Sequence, residues 1–148
     1  MSDINNYIIV GGTSGIGLAT ADYLRDIGNN VIVGSRHDRK EIAHDFIPVD
    51  VTSIKSVNAF FREIKNRGES VDGLVYSVGK TTNRKPINEF DEDIWKQIVE
   101  VNVTGFLRML KVFYPLLKHC SSKVVVVNSI ASKKYSELSG FEYTASKC

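Results

Sequence analysis

Short apolar runs alternate with longer amphipathic segments along the chain, and this alternation constrains the fold more than any other feature. Short apolar runs are typical of strands buried on both faces, and longer segments with helical apolar spacing are typical of the helices that cover them. The predicted strands are Tyr7 to Val10, Val31 to Val33, Phe46 to Val49, Gly73 to Ser77 and Lys123 to Asn128. This order predicts an α/β fold with a parallel sheet. The four consecutive valines of the last run predict a central strand covered on both faces.

Three longer segments have the apolar spacing of helices. They are Ile16 to Ile27, Ile54 to Asn66 after the N-cap Ser53, and a long helix from the N-cap Asp91 to Pro115 or one turn beyond. Gly28 and Gly68 follow the first two and are expected to end them. The segment between Val33 and Phe46 is short and polar, so only a small helix is expected there.

A glycine-rich turn separates the first predicted strand from the first predicted helix. Glycine permits positive φ and lets the backbone approach a pyrophosphate, while helix N-terminal amides and the helix dipole favour an anion. The residues assigned to cofactor binding here are Gly11, Thr13, Ser14, Gly15, Ile16 and Gly17. The alternative interpretation is a plain glycine-rich turn without a ligand.

The residues after the second strand bear on which dinucleotide is bound. An acidic residue at this point of a Rossmann fold binds the ribose 2′-hydroxyl of NAD, but this chain has Ser35 and Arg36. An arginine can pair with a 2′-phosphate, and the missing carboxylate removes a repulsion. The sequence therefore favours NADP, with NAD as the alternative. In the competing interpretation Arg36 is an exposed loop charge that pairs with Asp38.

Five motifs occur in a fixed order along the chain. They are Gly11-x-x-x-Gly15-x-Gly17, Asp50-Val51-Thr52, Asn102-Val103-Thr104-Gly105, Ser129 and Tyr143-x-x-x-Lys147. As a set they resemble the short-chain dehydrogenase/reductase family, and the resemblance covers essentially the whole chain. It implies a three-layer, Rossmann-type, doubly wound parallel sheet that is incomplete at its C-terminal side.

The resemblance also assigns roles to single residues. Asp50 and Val51 would lie beside the adenine, and Ser77 and Gly79 would contact the cofactor at the end of the fourth strand. Asn102 would interrupt the long helix locally and help hold a water of a proton relay. Alternative structural roles remain open for two of these residues: Asp50 is also a common turn former, and asparagine can cap or bend a helix.

The resemblance further implies a catalytic group of Asn102, Ser129, Tyr143 and Lys147. Ser129 would hydrogen-bond the substrate oxygen, Tyr143 would be the acid/base, and Lys147 would bind the nicotinamide ribose. Tyrosine has a pKa of about 10, and a lysine one helical turn away favours the phenolate electrostatically. Ser129 has the alternative role of ending a strand in a serine-rich turn.

The chain departs from the family pattern at several points. Tyr76-Ser77-Val78-Gly79 stands where an Asn-Asn-Ala-Gly-like run is expected, and Cys148 follows Lys147 directly where family members continue with further strands and a substrate lid. We therefore expect residues 1–148 to form a single dinucleotide-binding domain. Two functions remain open: an alcohol–ketone or aldehyde oxidoreductase, and a noncatalytic dinucleotide-binding module or inactive fragment.

Composition and residue spacing indicate which kinds of molecule the protein binds. The chain has 148 residues, 43% of them hydrophobic, and a net charge of +2, which is typical of a globular domain. Its two cysteines lack metal-ligand spacing, and it has neither a clustered basic face nor a long apolar span. We expect a cytoplasmic protein without metal, nucleic-acid or membrane partners. Its expected partners are a small carbonyl or alcohol substrate and a second copy bound through the 91–115 helix.

Overall fold

The computed structural model describes residues 4–38, 44–68, 70–83, 85–118, 122–133 and 139–148. The strands in these ranges are β1 (Asn6–Val10), β2 (Asn30–Ser35), β3 (Asp45–Pro48), β4 (Gly73–Tyr76) and β5 (Lys123–Val126). They form one parallel sheet in the order β3-β2-β1-β4-β5, and β1 pairs with β2 on one side and β4 on the other. The predicted parallel α/β sheet is confirmed, with strand ends that differ by one or two residues.

Helices connect the strands. The α-helices are α1 (Gly15–Asp26), α2 (Ile54–Asn66), α3 (Glu92–Val99), α4 (Gly105–Leu117) and α5 (Phe141–Lys147). Ser53 caps α2 by accepting from the Ser56 amide, and Asp91 caps α3 by accepting from the Asp93 and Ile94 amides, as predicted. The predicted 91–115 helix is divided into α3, a π-helical turn at Glu100–Thr104, and α4. The small helix expected between β2 and β3 falls largely on residues 39–43, outside the described residues.

Two apolar clusters hold helices to opposite faces of the sheet. On one face, Ala21 and Leu24 of α1 pack with Ile9, Val33 and Val75. On the other face, α2 and α4 cover the remaining strand positions; the buried residues there include Ile8, Val10, Leu74, Phe60, Ile64, Met109 and Phe113. Alternate residues of each strand therefore serve opposite layers, which gives the three-layer Rossmann-type arrangement.

The prediction that the valine run forms a covered central strand is wrong. β5 pairs with β4 alone among the described strands and lies at the edge of the sheet. Val124, Val125 and Val126 are between 39% and 52% exposed. Four valines indicate a strand, but burial on both faces depends on neighbours that the run itself does not encode.

The strand order places a topological switch point between β1 and β4. From β1 the chain moves first to β2 and β3, then crosses to β4 and β5, so the loops at the carboxyl ends of β1 and β4 diverge. Such crevices are where ligands bind in open α/β sheets. In the described part of the chain, none of the helices is long and apolar enough to cross a membrane.

Candidate active site

The glycine turn after β1 is a close backbone crossing. Gly11 has φ +85°, and its amide donates to the Gly34 carbonyl at 2.7 Å. A Cβ at Gly11 would lie 2.7 Å from the Ser77 carbonyl oxygen. Glycine is therefore required here both for its positive φ and for the contact with the end of β4.

The first turn of α1 lies against this crossing. A Cβ at Gly17 would lie 2.2 Å from the Gly11 carbonyl oxygen, so only glycine lets the helix approach the turn. Gly15 has φ +53° but open space around it, and Ile16 is 64% exposed. Ser14 is the N-cap residue of α1 and its side chain makes no capping hydrogen bond. This geometry presents the N-terminus of a 12-residue helix to the crevice, where it can bind an anion.

A cleft of about 610 Å³ opens at the carboxyl ends of the strands. It gathers most of the residues assigned to cofactor binding from the sequence: Gly11, Thr13, Ser14, Ser35, Arg36, Asp50, Val51, Ser77 and Gly79. Thr13 donates to the Ser35 hydroxyl at 3.1 Å, which ties the glycine turn to the end of β2. The cleft is not lined by three other residues assigned to the cofactor, Gly15, Ile16 and Gly17. Gly17 packs directly against Gly11, which does line it.

Two charged residues, Arg36 and Asp50, line the cleft just after β2 and β3. Arg36 is exposed and makes no ion pair with any residue that the structure describes, Asp38 included. Asp50 accepts from the Thr52 hydroxyl at 2.7 Å and the Thr52 amide at 2.9 Å. These hydrogen bonds, helped by the charge of Arg36, hold the pKa of Asp50 below its ordinary value. Asp50 thus forms the turn that the sequence left open and also lines the cleft.

Asn102 lies inside the π-helical turn and is buried. Its Oδ1 accepts from the Lys80 amide at 2.7 Å, and its Nδ2 donates to the Lys80 carbonyl at 3.0 Å. Nδ2 also donates to the Ser146 hydroxyl at 2.8 Å. The side chain therefore joins the loop after β4 to α5. The helix interruption implied by the resemblance occurs at this residue.

Tyr143 and Lys147 lie on one face of α5. The Lys147 ammonium is 5.8 Å from the centre of the Tyr143 ring and donates to the Val127 carbonyl at 3.2 Å. Burial lowers the pKa of Lys147. A Cβ on Gly79 would lie 3.8 Å from Lys147 Nζ and 3.9 Å from Asn102 Oδ1, so Gly79 lies beside both groups. The structure brings the predicted tyrosine, lysine and asparagine to one place.

Ser129 follows β5 and begins a 3-10 turn at Ile130–Ser132 that packs against α5. Its hydroxyl oxygen accepts from the Ala131 amide at 3.2 Å. This is the turn-forming role that the sequence left open. A hydroxyl that accepts one hydrogen bond still has its own proton to donate, so this contact is compatible with substrate binding.

Several residues of the site were not predicted. Ser146 accepts from Asn102 and donates to the Tyr143 carbonyl at 2.8 Å. The backbone of Lys80 holds both ends of the Asn102 amide. Ser146 is three residues after Tyr143, and that helical spacing could have indicated it. No sequence signal indicates the Lys80 contact, because it depends on how a loop crosses a helix.

Comparison with known proteins agrees with this geometry. The family model for short-chain dehydrogenases matches residues 5–148. An uncharacterized oxidoreductase of Staphylococcus haemolyticus is 31% identical, over 99% of this chain and 68% of its own. An uncharacterized oxidoreductase of Schizosaccharomyces pombe is 28% identical, over 87% of this chain and 56% of its own.

Solved structures show the same fold. Ligand-free aldohexose dehydrogenase of Thermoplasma acidophilum superposes with a TM-score of 0.89 at 28% identity, covering 97% of this chain and 56% of that protein. A Brucella ovis oxidoreductase of the short-chain family, in complex with partially ordered NAD, gives 0.87 at 25% identity, covering 98% and 72%. The chain spans between 56% and 61% of the length of several curated relatives.

Proposed function

Since this chain belongs to the short-chain dehydrogenase/reductase family, we propose that it binds NADP(H) and serves the interconversion of a secondary alcohol and a ketone, or of a primary alcohol and an aldehyde. The proposal includes residues 1–148 as a single dinucleotide-binding domain. The observation that carries the cofactor assignment is Arg36 at the cleft, exposed and without an ion pair to the described residues. The family binds NAD or NADP, and an arginine at this point supports NADP.

The described residues fit a dinucleotide. Gly11 and Gly17 leave the backbone bare where the pyrophosphate would meet the N-terminus of α1, and the tight Gly11–Gly17 contact has no room for side chains. Ser35 and Arg36 would hold the 2′-phosphate, and Asp50 and Val51 would lie beside the adenine. Exposed Ile16 is the least supported of the residues assigned to the cofactor.

In the reaction, the cofactor would supply or accept the hydride, and side chains of the protein would donate or accept the proton. The Tyr143 hydroxyl would give a proton to the carbonyl oxygen or take one from the alcohol, and the nearby Lys147 ammonium would favour its phenolate form. Ser129 would donate a hydrogen bond to the same oxygen as charge develops on it. Asn102 would hold the Lys80 loop and α5 in register through its amide.

A noncatalytic dinucleotide-binding module is the second candidate. The cleft is lined by residues up to Val101, so α5 contributes nothing to its walls. The Ser129 hydroxyl already serves a turn, which also suits this candidate. Both candidates include cofactor binding and differ only in turnover.

We further propose a homo-oligomer through the 91–115 region, where Val103, Leu107 and Tyr114 are exposed.

A fluorescence titration of the chain with NADPH and NADH tests the cofactor proposal. We expect tighter binding of NADPH, and Arg36→Ala should weaken NADPH binding by roughly 1–3 kcal/mol while leaving NADH binding unchanged, since a charge-assisted contact is lost. Arg62→Ala is the matched control, because Arg62 is an exposed arginine on α2 that does not line the cleft. Equal affinity of the unmodified chain for both dinucleotides would exclude the NADP assignment.

A further inference from the structure

Tyr76 is a buried phenol at the end of an otherwise apolar strand. It closes β4, whose four residues are all buried, and its side chain is 1% exposed. Its hydroxyl donates to the Val101 carbonyl at 2.7 Å, and burial raises the pKa of Tyr76, so the hydroxyl keeps its proton. A buried tyrosine hydroxyl needs a partner, and here the partner belongs to the helix that carries Asn102.

The π-helical turn changes which amide can donate to the Val101 carbonyl. In an α-helix this carbonyl would accept from the amide of Gly105, four residues later. Here the Gly105 amide donates to the Glu100 carbonyl instead, five residues back. The Tyr76 hydroxyl takes the place that the Gly105 amide has left.

The fit between strand and helix also depends on Gly105. A Cβ on Gly105 would lie 2.7 Å from the Tyr76 hydroxyl oxygen and 2.9 Å from a methyl carbon of Val51. The Tyr76 ring also packs against Phe106, with ring centres 5.4 Å apart. The absence of a side chain at Gly105 therefore leaves space for the Tyr76 hydroxyl, and Phe106 of the same helix contacts the Tyr76 ring.

From this geometry we infer that Tyr76 is a positioning residue: through the Val101 carbonyl it fixes the wide helical turn that directs the Asn102 amide to Lys80 and Ser146. Asn102 is the next residue after Val101, and both of its side-chain ends are engaged. The inference rests on the proposed function, because the position of Asn102 matters for the reaction only if the site is used. It also gives a role to a tyrosine that stands where the family pattern has asparagine.

Hydrogen exchange measured by NMR tests the inference without substrate or cofactor. Tyr76→Phe removes only the hydroxyl. We expect exchange of the Lys80 amide, which donates to Asn102, to accelerate at least tenfold more than exchange of the β1 amides, which report global unfolding. Tyr7→Phe is the matched control: it removes a tyrosine hydroxyl from β1, next to β4 but at the amino end of the sheet, and should leave the Lys80 amide unchanged.

Two results would overturn the inference: equal acceleration at Lys80 and in β1, or no acceleration at Lys80. If Tyr76→Phe does not fold, the unmodified chain decides. A slowly exchanging Tyr76 hydroxyl proton with a nuclear Overhauser contact to Gly105 supports the inference, and a freely exchanging one contradicts it. Because exchange needs no turnover, a failed activity assay with selective loosening at Lys80 would reject the proposed reaction alone.

Discussion

Two glycines of the same turn should respond very differently to alanine. A methyl group at position 17 would lie 2.2 Å from the Gly11 carbonyl oxygen and 3.1 Å from the Ser77 Cβ, whereas one at position 15 would meet nothing within 4 Å. Gly15 has φ +53°, so its substitution carries only the left-handed backbone cost. Alanine at position 17 should therefore cost stability through a steric clash, and alanine at position 15 only through its backbone conformation.

The expected magnitudes follow from these two costs. Overpacking costs about 3 kcal/mol at the upper end of its usual range, and at Gly17 the two nearest atoms belong to the Gly11 backbone, which cannot yield as a flexible side chain would. The left-handed conformation of an alanine costs about 1 kcal/mol. Gly17→Ala should thus lower the free energy of unfolding by about 2 kcal/mol more than Gly15→Ala.

Urea unfolding followed by circular dichroism measures this difference. With a denaturant slope of about 2 kcal/mol per molar, the midpoint should fall by about 1.5 M for Gly17→Ala and by about 0.5 M for Gly15→Ala. Equal midpoints for the two variants, or a larger loss for Gly15→Ala, would show that α1 does not approach the Gly11 turn as described.

The remaining predictions concern α5. In a chain extended to the length of its relatives, Tyr143→Phe should abolish carbonyl reduction, followed as NADPH consumption, while NADPH affinity stays within about twofold, because only the phenolic proton is lost. Retained turnover would place the acid/base elsewhere. Burial lowers the pKa of Lys147 from its ordinary value of 10.5, so between the lowered and the ordinary pKa the unfolded chain binds more protons. The free energy of unfolding of the unmodified chain should therefore rise with pH towards 10.5 relative to Lys147→Met, and parallel pH curves would contradict this.

Local patterns predicted the elements that make up the fold. The N-cap residues Ser53 and Asp91 accept the expected backbone amides because capping depends on residues only a few positions apart. The glycine turn was also predicted from local sequence. The spacing of its glycines matches the close contact between Gly11 and Gly17 within one strand–turn–helix unit. The capping partners, and Gly11 with Gly17, are close in sequence, whereas the contact of Gly11 with Ser77 joins distant segments.

Features that depend on distant segments could not be predicted in this way. The exposure of β5 depends on which strands pair with it, and a run of valines does not contain that information. The width of the helical turn around Asn102 involves Tyr76, which is 25 residues from its partner Val101. The resemblance implied an interrupted helix, but the donor that satisfies the freed carbonyl is peculiar to this sequence.

Within residues 1–148, the outer edge of β5 pairs with no described strand. A strand edge offers a row of backbone donors and acceptors to which another chain can add, and proteins commonly protect such edges with charged residues, bulges or covering segments. Three valines of β5 are more than one-third exposed, and Lys123 is the strand's one charged residue. High β-propensity and low charge are the features of segments that assemble into cross-β aggregates. In a sample of these 148 residues alone, self-association through this edge would compete with folding, and the competition would become stronger as protein concentration rises. A further strand paired with β5 would remove it.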